Sequence, residues 1–166
     1  MAKKEEYTDA IMLLKADHRT VEELFEKFEK AKGDDKKLQI AQQVCTELKI
    51  HTMIEEEIFY PGCRGEVEDD DLDEAIVEHD SAKVLINELE SSDPDEEFYD
   101  SKVKVLQEQI EHHVKEEERQ QGNIFAQARK GDVDLSDLGS RMMARKQELQ
   151  QQAEQGGLGA AKTTSM

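Results

Sequence analysis

The sequence predicts an all-α protein: an up-down-up-down four-helix bundle with an extra C-terminal helix and a disordered tail. Three observations predict it. Glycine and proline are scarce, nine and two in 166 residues, so few points break the chain. Charged residues make up 37% and hydrophobic ones 36%, and apolar positions recur at three- and four-residue spacing over long stretches. The breaks are short, and short connections force successive helices to run antiparallel.

The first helix is expected from Thr8 to Lys32, ending at Gly33. The second follows Asp34 and runs to Tyr60, where Pro61 stops it. The third begins after "EVEDDD", where Asp71 and Glu74 make a D-x-x-E capping signature, and runs to about Ser91. The fourth opens at Asp93-Pro94-Asp95-Glu96, a cap, a proline at the first helical position and acids in the first turn. It is expected to continue to about Lys130. A shorter fifth helix, Ser136 to Glu154, follows "GDVDLSD" and could pack on the bundle or serve as an interface. Residues 155–166 are expected to be disordered. The expected division is therefore residues 1–132 for the bundle, 133–154 for the appended helix and 155–166 for the tail.

The net charge of −18 argues against nucleic acid, whose phosphates would be repelled, and against an anionic membrane surface. No apolar run reaches the length of a membrane span. The apolar patch in "MAKKEEYTDAIMLLKADH" is too short and too acid-flanked for a signal peptide. Cys45 falls among apolar helical positions and Cys63 follows the Pro61-Gly62 turn. Two cysteines suggest no disulfide framework, so a reducing cytoplasm is the expected location.

The apolar stripe of each helix is interrupted in the same way. Helix one presents Leu14, His18, Val21, Phe25 and Phe28. Helix two presents Ala41, Val44, Leu48, His51, Glu55 and Ile58. Helix three presents Leu72, Ala75, His79, Ala82, Ile86 and Leu89. Helix four presents Val103, Leu106, Ile110, His113, Glu117 and then Ile124. Counting residues from the turns puts His18, His51, Glu55, His79, His113 and Glu117 in one layer, with His79 and His113 the least balanced pair.

A single core histidine is more often hydrogen-bonded to a carbonyl than a ligand, and a glutamate in "IEEEI" or "KEEER" more often lies on a solvated face. Glu56, Glu57, Glu116 and Glu118 are read that way. Two carboxylates in a core layer with no seam Lys or Arg are another matter, because burying them unpaired costs several kcal/mol. Protonation is one remedy; metal cations among four imidazoles and two carboxylates are a better one. In H-x-x-x-E the imidazole and carboxylate stand one turn apart on one face, so both reach one centre. No glutamate precedes a histidine by three residues, and HExxH is absent, which sets aside the Glu-x-x-His di-iron bundles and the zinc-peptidase helix.

"ADHRTVEELF", "HTMIEEEIFYP", "VEHD" and "HHVKEEE", spread from residue 16 to 118, resemble the hemerythrin-like, HHE cation-binding domain family. The ordered set H…HxxxE…H…HxxxE carries the likeness, which excludes the fifth helix and the tail. The resemblance implies two non-haem iron ions, a di-iron centre, binding dioxygen or a related small ligand such as nitric oxide or peroxide. His18 and His51 would hold one iron, His79 and His113 the other, and Glu55 and Glu117 would bridge them. The oxygen-carrying hemerythrins have a second helix-three histidine where this chain has Lys83, which is expected to extend to solvent. Six ligands are thus recognised rather than seven, leaving a position for water, another side chain or an exogenous ligand. His112 points about 100° away from His113 and is not expected to ligate.

Oxygen, redox or iron sensing and stress handling are the expected roles. A di-iron enzyme acting on peroxide, nitric oxide or ferrous iron is the alternative, and a structural zinc or iron module the second. Nothing in the sequence names a protein partner.

Overall fold

The computed structural model describes residues 9–166, and the start of the first helix at Thr8 lies outside them. Helix α1 is Ala10–Lys30, capped by Asp9, whose carboxylate accepts from the Met12 amide at 3.0 Å. The chain turns at Gly33, whose φ of 89° favours glycine. Helix α2 is Asp34–Ile54. It continues without a break through a π-helical turn, Glu55–Phe59, into a last α-turn, α3, Tyr60–Cys63. The helical path therefore does not stop before Pro61 as expected. Pro61 lies just past the π-turn, where the hydrogen-bond register has changed: the Tyr60 amide bonds to the Glu55 carbonyl.

Helix α4 is Asp69–Glu90 and starts two residues before the expected cap, with Asp69, Asp70 and Asp71 in its first turn. Those acids complement the positive end of the helix, and the free amide of Glu68 donates to the side chain of Gln127 instead. After a looped stretch through Asp93 and Pro94, helix α5 is Tyr99–Val114, again running into a π-turn, Lys115–Arg119. The expected single helix to Lys130 is in fact two pieces. Gly122 takes a φ of 71° and the Asn123 side chain caps α6, Ile124–Lys130, at the Ala126 amide. Helix α7 is Leu135–Gln155, capped by Asp134.

No strand forms among the described residues, and no helix is long and apolar enough to cross a membrane. Apolar side chains gather in two clusters. One holds Leu14, Ile54, Phe59, Leu72 and Phe125; the other holds Val21, Phe25, Leu48, Ile86 and Leu106. Between Leu14 and Val21 on α1 lies His18, and between Leu48 and Ile54 on α2 lies His51, so a polar layer separates the two apolar ones.

Helix α7 packs on α1 and α2 and buries Leu138, Met142 and Leu149. Gly139 allows the approach: a Cβ there would sit 2.8 Å from the Ala10 amide nitrogen. Beyond Gly156 the chain has no regular structure, over the stretch expected to be disordered. Lys49 donates to the Gly159 carbonyl, and the Asn87 side chain both donates to and accepts from the Ala161 backbone. Asp80 accepts from the amides of Thr164 and Ser165 at 2.9 and 2.6 Å. Acceptors on α4 thereby meet backbone donors of this polar segment.

Candidate metal centre

All six residues singled out on the seams are buried: His18, His51, Glu55, His79, His113 and Glu117, with both carboxylates wholly inaccessible. They occupy one layer. His18, His51 and Glu117 each bring a ligand atom within 4.8 Å of the other two, and so do Glu55, His79 and His113. Each carboxylate touches one histidine of its own helix and one across the bundle. Glu55 Oε1 lies 2.7 Å from His51 Nε2 and 3.3 Å from His79 Nε2. Glu117 Oε1 lies 2.9 Å from His113 Nε2 and 3.4 Å from His18 Nε2. The two glutamates fall in the two π-turns, where an added residue per turn re-aims side chains; such turns are frequent at functional sites.

Every imidazole is held from behind by a carboxylate. His51 Nδ1 donates to Asp17 at 3.0 Å, His79 Nδ1 to Glu56 at 3.0 Å, His113 Nδ1 to Glu78 at 2.8 Å and His18 Nδ1 to Glu118 at 3.1 Å. An ionised carboxylate can only accept, so a hydrogen sits on each Nδ1, and each Nε2 faces inward, where a neutral ring would present its lone pair. Inward, the atoms crowd together unsatisfied. His18 Nε2, His51 Nε2, both oxygens of Glu55 and Oε1 of Glu117 are buried without a hydrogen-bond partner. Contacts as short as that between His51 and Glu55 lack hydrogen-bond alignment.

Without a cation the layer draws protons. Burial opposes the charge on His51, but Glu55 and Asp17 outweigh it and carry its pKa up to about 10. Burial likewise opposes charge on His113, and Glu117 outweighs it, while Glu117 is itself held well below the usual carboxylate range by His113 and His18. Four imidazole nitrogens and two carboxylates with five orphaned atoms are a donor set that fits borderline divalent cations.

The structure adds residues that the seam reading missed. Tyr60, read as the aromatic end of a helix, reaches the layer: its hydroxyl donates to Glu117 Oε2 at 3.1 Å and lies 3.3 and 3.5 Å from the Nε2 atoms of His79 and His113. Glu56 and Glu118 do not lie on a solvated face; their side chains are 12% and 3% exposed. A signal for them was available. Asp17, Glu56, Glu78 and Glu118 are each the chain neighbour of an inward residue, His18, Glu55, His79 and Glu117, and each reaches sideways to a ring on the adjacent helix.

Lys83 is buried rather than extended to solvent. Its ammonium lies 2.8 Å from Glu56 and 3.3 Å from Asp80, so two carboxylates outweigh the gain from hydration. Glu57 is exposed and paired with Arg145, as a surface residue should be. Cys45 and Cys63 are both buried and unpaired, and burial pushes each thiol up to about 12. Phe125 lies parallel to the His18 ring at 6.0 Å, which puts α6 against one side of the layer.

The model of the Hemerythrin HHE cation binding domain matches residues 9–122, the bundle through the second π-turn. Among solved structures, the chain is similar to a hemerythrin HHE cation-binding domain-containing protein from Mycobacterium kansasii. The two share 22% identity with a TM-score of 0.75, over 93% of this chain and 98% of that one. At that identity the likeness speaks for the fold, and it extends past the family match into α7. No curated protein matches the chain. With the family match covering well over half of its length, the chain belongs to the hemerythrin HHE cation-binding domain family.

Proposed function

We propose that this is a non-haem di-iron protein that binds dioxygen or a related small ligand, nitric oxide or peroxide. His18 and His51 would hold one iron and His79 and His113 the other, with Glu55 and Glu117 shared between them. The observation that carries this reading is the set of five buried, partnerless nitrogen and oxygen atoms in the layer, ringed by four histidines whose outer nitrogens are all engaged. Six donors around two foci are too many for one ion. Such a pair of irons would supply the electrons that a small ligand takes up.

This chain's own residues do the rest. Asp17, Glu56, Glu78 and Glu118 fix ring orientation and raise the basicity of the inward nitrogens. Phe59 and Phe125 form an apolar wall that keeps bulk water from the His18 side. Tyr60 stands on the His79 and His113 side, where the likeness to oxygen carriers leaves one ligand short. Its phenol oxygen supplies a seventh donor there, or an O–H proton held 3.1 Å from Glu117. That proton donor favours a second reading in which the same centre turns over peroxide.

Metal analysis of the iron-loaded protein, with its visible spectrum under air, tests the proposal. Two irons per chain and an oxygen-dependent visible band are expected. No more than one tightly held metal would sink the dinuclear reading, and a colourless zinc protein would leave only a structural module. Oxygen evolution from hydrogen peroxide separates turnover from binding.

A further inference from the structure

Three of the four carboxylates behind the histidines are neutralised by a permanent cation. Asp17 is paired with Lys146 at 2.6 Å, Glu56 with Lys83 at 2.8 Å, and Glu118 with Arg19 and Arg119. Glu78 is the exception: among the described residues no Lys or Arg lies within ion-pair distance of it. Its Oε1 accepts from His113, and its Oε2 lies 3.2 Å from His112 Nε2. The same Nε2 lies 3.0 Å from Glu116 Oε1. His112 and Glu116 repeat, one residue out of phase, the His-x-x-x-Glu spacing of the buried pair His113 and Glu117.

The three groups converge from two elements, with ligand atoms within 4.8 Å of one another. One imidazole nitrogen carries at most one hydrogen, yet it faces two carboxylate oxygens, so the two carboxylates compete for it. A cation at the convergence point satisfies all three. His112 is 62% exposed, whereas Glu78 and Glu116 are 17% and 22% exposed, so the cluster opens outward while its carboxylates are held in place. Glu78 then joins this outer cluster to the buried layer through a single carboxylate.

We propose that Glu78, His112 and Glu116 form a peripheral site for a borderline divalent cation, at which ferrous iron docks before entering the buried layer. One imidazole and two carboxylates suit Fe2+, Mn2+ or Zn2+, with water filling the remaining positions. The site stands on these three residues; its docking role rests on the di-iron reading above.

The test uses the full chain loaded with no more than two equivalents of Zn2+, which the buried layer with its larger donor set takes first, and then titrated with Mn2+, free Mn2+ being read by electron paramagnetic resonance. One Mn2+ per chain beyond the zinc is expected, weakened at least about tenfold in His112→Ala and in Glu116→Gln. Zinc content of the His112→Ala protein should match wild type, which shows that the variant is folded and its buried layer intact. No bound Mn2+, or equal Mn2+ affinity in wild type and both variants, would overturn the peripheral site. Zinc reads the buried layer and manganese the outer cluster, so a protein that holds no zinc but loses Mn2+ on removing His112 sinks only the di-metal reading. For docking, the rate of Fe2+ uptake should fall several-fold in His112→Ala with final iron content unchanged; equal rates would overturn that role.

Discussion

Glu56 accepts from the Nδ1 of His79 at 3.0 Å while Lys83 grips the same carboxylate at 2.8 Å. A residue placed by its neighbours on a solvated helix face is thus a strut between a buried ring and a buried ammonium. Its burial changes what substitution there should do.

Metal retention should fall in three grades. Glu55→Ala and Glu117→Ala each remove a group that touches two histidines, and should abolish tight binding at one or both positions. Glu56→Gln and Glu118→Gln keep the packing but loosen one ring, and should weaken binding by roughly 10–100-fold. Glu57→Gln should have no effect, since Glu57 meets only Arg145 at the surface. Competition with a chelator, followed by metal analysis, ranks the five variants; similar losses for Glu56 and Glu57 would contradict the arrangement.

The C-terminal strap should be measurable as stability. Removing residues 158–166 takes the Thr164 and Ser165 amides and the Ser165 hydroxyl from Asp80, and the Thr164 hydroxyl from Glu56. Asp80 and Lys83 are then left beside each other with fewer partners. Loss of donors to a buried carboxylate costs about 1–3 kcal/mol, so the truncated chain should melt several degrees lower. Hydrogen exchange should rise along α4 around residues 80–87. An unchanged melting temperature and exchange pattern would show that the strap contributes nothing to holding α4.

Acid should loosen the metal-free protein in a defined window. Burial opposes ionisation of Asp80, but the Ser165 hydroxyl, the Thr164 and Ser165 amides and Lys83 outweigh it and hold its pKa near about 2. Burial also opposes that of Glu118, which His18 and Arg19 bring down to about 2. Both groups titrate near about 4 in an unfolded chain. Because the folded values are depressed, their stabilisation is complete above about pH 4 and is lost as pH falls through about 2. Thermal unfolding followed from pH 6 to 2 should show that slope, reduced in Asp80→Asn. An identical slope in the variant would remove Asp80 from the account.

The sequence by itself determined the helical bundle and the inward layer. Long stretches with apolar residues three and four apart can bury one face only by packing helices together, and a histidine or glutamate in that stripe has nowhere else to point. That is why His18, His51, Glu55, His79, His113 and Glu117 were legible one helix at a time. Only the tertiary structure decided what stands behind them. Asp17, Glu56, Glu78 and Glu118 each act on a ring carried by another helix, and a periodicity confined to one helix says nothing about sideways reach. Tyr60 entered the layer because a π-turn carried the helix past Pro61, a change of hydrogen-bond register that propensity does not signal. Lys83 was drawn inward, and the polar tail laid down over α4, because Asp80 and Glu56 concentrate negative charge at one buried spot. Local spacing fixes which face is buried; pairing of charge across helices is settled only when the helices meet.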